Sequence, residues 1–110
     1  MGKSGKAART RGHGFELQIC KLLNKRGFYA VTSRSESKRL DDLGSDIVTD
    51  FPYHLQCKFV EALSMPNHKL LAEMKKALTD KPPAVIHKRA NKGIIVSLLL
   101  EDFLELIKNE

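Results

Sequence analysis

The sequence is poor in cysteine, and its two cysteines, Cys20 and Cys57, stand far apart with no Cys-x-x-Cys pair. The histidines do not cluster, so neither a disulfide framework nor a structural zinc site is expected, and a reduced interior is the default. Long apolar runs are lacking too. Residues 93–100 (Gly-Ile-Ile-Val-Ser-Leu-Leu-Leu) are interrupted by Ser97 and followed by Glu101 and Asp102, too short a run to span a bilayer. The basic N-terminus has no apolar region behind it and does not read as a secretion signal. There is no internal repeat, and 110 residues close about one core. These absences leave a single domain with no membrane partner. Its expected place is the cytoplasm.

Hydrophobic residues make up 42% and charged residues 29%, ordinary for a globular domain and too apolar for a disordered tail. Nineteen Lys and Arg against thirteen Asp and Glu leave a net charge of +6, which favours a polyanionic partner. Residues 1–12 carry Lys3, Lys6, Arg9 and Arg11 with no acid, in a Gly, Ser and Ala background too poor in large apolar groups to fold alone. They read as a mobile basic arm before a single domain over residues 13–110, and His13 at the junction is expected to share the arm's role and to take no part in the chemistry. A second basic group is His87, Lys88, Arg89 and Lys92. A third, Arg34, Lys38 and Arg39, lies in a polar segment between apolar ones. Each group taken alone is as well explained as a solvated face.

Apolar residues at helical spacing, Phe15, Ile19, Leu22 and Leu23, predict a first helix over 15–25 that stops at Gly27. Residues 28–32 read as a strand, 33–44 as a polar loop, and 46–49 as a second strand. A turn at Asp50-Phe51-Pro52 leads into a third over 53–60, and so short a connection predicts a hairpin. In that third strand Tyr53, Leu55, Cys57 and Phe59 alternate with His54, Gln56, Lys58 and Val60. Pro66 sits near the start of a second helix with Leu70, Leu71, Met74, Ala77 and Leu78 as its stripe. Strands over 84–87 and 94–99 follow, then a closing helix over 101–108 with Phe103, Leu104 and Ile107 inward. The fold class is α/β: a central mixed sheet of about five strands flanked by helices.

Three features break the pattern. At 100° per residue Glu16 falls inside the apolar stripe of the first helix, where an unpartnered carboxylate would cost several kcal/mol. Asp46 opens a strand after Gly44-Ser45. Gln56 and Lys58, two apart, share one face of an interior-looking strand. Each alone has a bland reading, as a cap or as a lysine reaching for water. Together, Glu16, Ser45-Asp46 and Gln56-Cys57-Lys58 resemble the PD-(D/E)-x-K nuclease superfamily. Within it the chain looks most like the small archaeal and phage-type Holliday junction resolvases. The likeness runs through the basic arm, Gly14-Phe15-Glu16, Gly27-Phe28, the Ser-rich loop, Gly44-Ser45-Asp46-Ile47-Val48, His87-Lys88-Arg89 and Leu100-Glu101-Asp102-Phe103-Leu104. The motifs are short, so their specificity lies in order and spacing.

The resemblance implies a small restriction-endonuclease-like domain that hydrolyses phosphodiester bonds in branched DNA with Mg²⁺, for which Mn²⁺ substitutes. Such ions prefer oxygen ligands and lower the pKa of an attacking water. By the same resemblance Asp46 is the central ligand, Gln56 gives a side-chain oxygen and Cys57 its backbone carbonyl, while the Cys57 thiol points into the core. Glu16 completes the shell or holds a bound water, and Lys58 orients the nucleophile or stabilises the developing charge. A loop serine, Ser33 or Ser35, assists cleavage. The arm and the other two basic groups are the expected DNA contacts. Cutting a four-way junction symmetrically implies a homodimer, with an interface sought on the second helix and the exposed parts of the last two strands. Gln56 departs from the more common Glu and removes one negative charge, which weakens metal binding. Asp41, Asp42 and Asp50 read as loop and turn residues. The competing readings are another nuclease of the superfamily, cutting flaps or nicking; a DNA-binding module with a decayed site; and a basic RNA-binding or ribosome-associated domain, which leaves Glu16, Asp46 and Lys58 without a purpose.

Overall fold

The computed structural model describes residues Gly2–Lys108, with side chains from Lys6 onward. The side chain of Lys3 therefore lies outside the described residues. Helix α1 runs over Gly2–Lys25, so the basic segment expected to be a mobile arm is helical. The physical reason is that extending a helix costs far less than starting one: the turns over 15–25 are held by the core, and Ala, Lys and Arg upstream are good helix formers. Residues 6–11 are exposed along this extension. Arg11 lies over the Phe59 ring, 5.4 Å from its centroid, and ties the extension to the sheet. The helix ends where the sequence predicts. Gly27 has φ 93°, with bonds from Phe28 N–H to Leu23 C=O and from Gly27 N–H to Asn24 C=O, the paired closure of a left-handed C-terminal cap.

Beyond it, β1 (Ala30–Thr32) leads to two short helices, α2 (Ser33–Glu36) and α3 (Lys38–Asp42), where a loop was expected. The Ser37 hydroxyl accepts the Leu40 N–H and caps α3, and an Asp42 carboxylate pairs with Lys38 at 3.0 Å. Strand β2 (Ile47–Thr49) pairs antiparallel with β1. Strands β3 (His54–Phe59) and β4 (Pro83–Lys88) are parallel, joined through α4 (Asn67–Ala77), and β5 (Ile95–Ser97) pairs antiparallel with β4 before α5 (Leu100–Lys108). Pro66 stands at the head of α4, its carbonyl accepting from Lys69 and Leu70.

The single five-stranded sheet and the β2–β3 hairpin are corrected: the strands form one sheet of two, β1-β2, and one of three, β3-β4-β5. Asp46 N–H still bonds Leu55 C=O at 2.8 Å, but the Cys57 N–H, which a continuing ladder would use, is taken by the Asp46 carboxylate at 2.7 Å. Asp46 thus makes one main-chain bond to β3, its own carbonyl turns to Ser33 N–H, and its carboxylate takes a further β3 donor on the side of residues 44 and 45.

The alternation in β3 sorts the core. Tyr53, Leu55 and Cys57, with Ala84 and Ile86 of β4, pack against Phe15, Ile19 and Cys20 of α1. Val85 faces the other way, onto Leu70 and Leu71 of α4. The result is an α/β domain with helices on both faces of its mixed sheet. Both cysteines are free and buried. Two expectations fail at the C-terminal end. Phe103, Leu104 and Ile107, expected inward on α5, are 47%, 52% and 49% exposed, because no further layer lies over that helix among the described residues. Leu70, Leu71 and Met74 of α4 are buried in the core, so the second helix does not offer the apolar surface expected of it. Among the described residues no helix is long and apolar enough to cross a membrane.

Candidate active site

The site is built where β2 enters beside β3. Asp46 is held by its main chain on both sides, accepting from Ser33 N–H and donating to Leu55 C=O, each at 2.8 Å. Its carboxylate reaches along β3 and accepts the Cys57 N–H at 2.7 Å. Burial pushes the Asp46 carboxyl up from 3.8 to about 7; the Cys57 N–H bond opposes this, the charges of Glu16 and Asp41 add to it, and Lys58 opposes it. Asp46 thus feels the charge of Glu16, thirty residues away in sequence, and that of Lys58.

Glu16 is 4% exposed and is not unpartnered. The Arg34 guanidinium donates from Nε to Oε1 at 3.0 Å and from Nη2 to Oε2 at 2.9 Å, a fork on both carboxylate oxygens. His13 Nδ1 lies 3.7 Å from Oε1, so His13 belongs to the site's edge and not only to the basic extension. Arg34, expected to contact DNA, pairs with Glu16 in this structure.

Gln56 Oε1 is buried without a hydrogen-bond partner. Its amide lies over Gly44, whose φ is 94° and where an added Cβ would meet Gln56 Nε2 at 3.1 Å. A side chain at Gly44 would strain the turn and push Gln56 aside at once. Lys58 is half-buried and opens on a cavity of about 100 Å³ shared with Leu63, Met65 and Leu70. The Cys57 thiol is buried in the core, as expected, and burial pushes its pKa up, with the charges of Asp46 and Glu16 adding to the shift. The two candidate serines differ. Ser33 is wholly buried beside the Asp46 backbone with an unpartnered Oγ, whereas the exposed Ser35 turns its hydroxyl back to the Thr32 carbonyl at 2.9 Å.

The register of β3 on β4 sets Lys58 opposite His87 and Phe59 opposite Lys88. Lys88 Nζ and Arg11 each lie 5.4 Å from the Phe59 ring centroid, so the helical extension and the basic end of β4 meet on one aromatic side chain next to Lys58. His87 Nε2 lies 2.8 Å from the Val60 carbonyl oxygen, and exposed Arg89 and Lys92 continue the basic edge. The other basic group disperses: Lys38 pairs with Asp42, and Arg39 borders a cavity of about 430 Å³ with His54, Asp80 and Lys81.

One polar cluster escaped the sequence reading. Buried His54 places Nδ1 3.2 Å from the buried Ser45 hydroxyl and Nε2 2.8 Å from an Asp80 carboxylate oxygen. It anchors the residue just before Asp46 to the segment before β4. Its signal was present in the alternation, which puts His54, Gln56 and Lys58 on one face of β3.

Among the described residues no three of His, Cys, Asp and Glu stand together as a metal-holding group. The donors that the entry to β2 and β3 do offer are a buried carboxylate with one oxygen committed to Cys57 N–H and an orphaned amide oxygen on Gln56. They fit a hard, oxygen-liking dication. Glu16 fits only once Arg34 has left it. Compared with protein-family profiles, curated proteins and solved structures, the chain matches none.

Proposed function

We propose that the protein is a metal-dependent, structure-selective DNA endonuclease of restriction-endonuclease-like fold, a Holliday junction resolvase acting in the cytoplasm. The observation that carries the reading is the Asp46 carboxylate bonded to the Cys57 N–H, between Gln56 and Lys58 on β3, with the buried Glu16 carboxylate near enough to act on it and a basic edge alongside. Asp46, Gln56 and the Cys57 carbonyl would hold Mg²⁺ or Mn²⁺, with Glu16 joining them directly or through water. The ion supplies charge neutralisation at the phosphate and an acidified water. Lys58, half-buried on β3, would hold a positive charge where negative charge develops on the phosphate oxygens. Ser33 is better placed than Ser35 to assist, because it is bonded to the Asp46 backbone.

The test is cleavage of a labelled immobile four-way junction, with a linear duplex and a flap alongside, in Mg²⁺, Mn²⁺ or EDTA. Paired symmetric cuts that need metal are expected. Cuts confined to the flap would make it another nuclease of the superfamily, and tight binding without cuts would make it a DNA-binding module.

Arg89 and Lys92 extend the basic edge into solvent and serve as phosphate contacts. Arg89→Ala with Lys92→Ala is expected to weaken junction binding and to flatten the slope of log K against log salt by about 0.9 for each phosphate no longer neutralised. An unchanged slope in a fluorescence titration would place the DNA elsewhere.

Two symmetric cuts require two sites, supplied by a homodimer. The surface for it is the free edge of β5 with the outer face of α5: Ile95, Val96, Leu100 and Leu104 are more than half exposed there. Val96→Glu is expected to halve the mass seen by light scattering at micromolar concentration without loss of helix content. A dimer that persists would move the interface off this edge.

A further inference from the structure

The Arg34–Glu16 pair carries an inference that rests on the nuclease reading and goes beyond it. Glu16 needs a compensating cation because it is buried among Phe15, Ile19 and Cys20, and the Arg34 fork supplies one. Both carboxylate oxygens are occupied, so Arg34 and a divalent cation want the same two atoms. The partners are not equally fixed. Glu16 stands in the core-packed part of α1, and its side chain is 6% exposed. Arg34 stands on α2, a four-residue helix, and its side chain is 41% exposed. Arg34 can therefore leave toward solvent while Glu16 cannot follow. A guanidinium freed there presents the same planar fork to a phosphodiester.

We propose that Arg34 is a displaceable internal counter-ion: it holds Glu16 while the site is without a divalent cation, and passes from Glu16 to the DNA phosphate when the cation arrives. Arg34 is a positioning residue in this scheme. It acts on the metal site through Glu16 and keeps a buried carboxylate compensated at every stage. Because the two equilibria share the pair, metal and DNA tighten each other's binding by the same factor. A site already loaded with DNA is then assembled more readily than an empty one, which restrains metal binding away from substrate.

The experiment uses the full chain. In the wild type, the Arg34 Nε–H cross-peak in a ¹H–¹⁵N spectrum, held by Glu16, is expected to lose its protection from exchange as Mg²⁺ is added without DNA. By calorimetry, Arg34→Gln is expected to bind Mg²⁺ about tenfold more tightly than the wild type without DNA. It should also lose the tightening that an uncleavable phosphorothioate junction brings. Arg34→Lys keeps a charge over Glu16 without the fork and is expected to fall between the two; if the glutamine variant does not fold, the lysine variant decides. An Arg34 cross-peak untouched at saturating Mg²⁺, or an affinity unchanged or weakened in the folded variants, overturns the counter-ion role and leaves the nuclease reading standing. Failure of the wild type to bind either Mg²⁺ or Mn²⁺ overturns the metal-dependent reading and the counter-ion role with it.

Discussion

Asp46→Asn is expected to end metal-dependent cleavage of a four-way junction and, in EDTA above neutral pH, to make the protein more stable. The first effect follows from removing the central charged ligand: several kcal/mol of transition-state stabilisation are lost, roughly a thousandfold or more in rate. The second follows from burial. The Asp46 carboxyl is raised from 3.8 to about 7, so between those pH values the folded state holds a proton that the unfolded state has released. Stability therefore falls as pH rises through that window, and above it the folded protein carries the full penalty of a buried charge. The shift corresponds to on the order of 4 kcal/mol at most. Asparagine has no charge to bury, and its amide oxygen can still accept the Cys57 N–H. Melting curves from pH 4 to 9 in EDTA check this. The two proteins should converge near pH 4 and separate above pH 7, with the variant higher, and parallel curves would show Asp46 titrating as an ordinary surface acid. A residue that destabilises its own fold until a cation binds is expected of a site selected for chemistry.

Phe15→Ala is expected to cost about 3–5 kcal/mol, a large share of the stability of a domain this size. Phe15 is 2% exposed, and its ring meets Phe59 edge to face with centroids 5.8 Å apart. Phe59 in turn carries Arg11 and Lys88, so the cavity left by Phe15 loosens the basic edge beside Lys58 as well as the core. The urea midpoint should fall with an unchanged m-value, and junction affinity should fall with it. A loss below about 1 kcal/mol would mean that α1 does not seat on β3 as described.

Much of the fold was legible because a residue's face follows from local periodicity. The two-residue period of β3 put Tyr53, Leu55 and Cys57 against α1, and the glycine at 27 ended that helix where a left-handed residue was needed. The same period placed Gln56 and Lys58 on the face away from α1 and left Cys57 to the core. Glu16 was legible as an anomaly, because a carboxylate within an apolar stripe demands a partner. The partner's identity was not, since Arg34 comes from 18 residues away on a segment with no apolar pattern at all. The split of the sheet was hidden for a related reason. It depends on where main-chain groups turn in three dimensions: Asp46 N–H reaches Leu55 C=O, while Asp46 C=O turns to Ser33 N–H.

By itself, then, the sequence determined the α/β class, the stripe of α1, the two faces of β3 and the short set of polar residues that packing does not require. These depend on spacing along the chain, which is written in the order of residues. Only the tertiary structure decided that the basic N-terminal segment continues α1, that α5 keeps its apolar face exposed, that His54 joins Ser45 to Asp80, and that Arg34 closes on Glu16. Each depends on which groups from distant parts of the chain arrive within hydrogen-bond or contact distance. Periodicity says which way a side chain points; it does not say what is there to meet it.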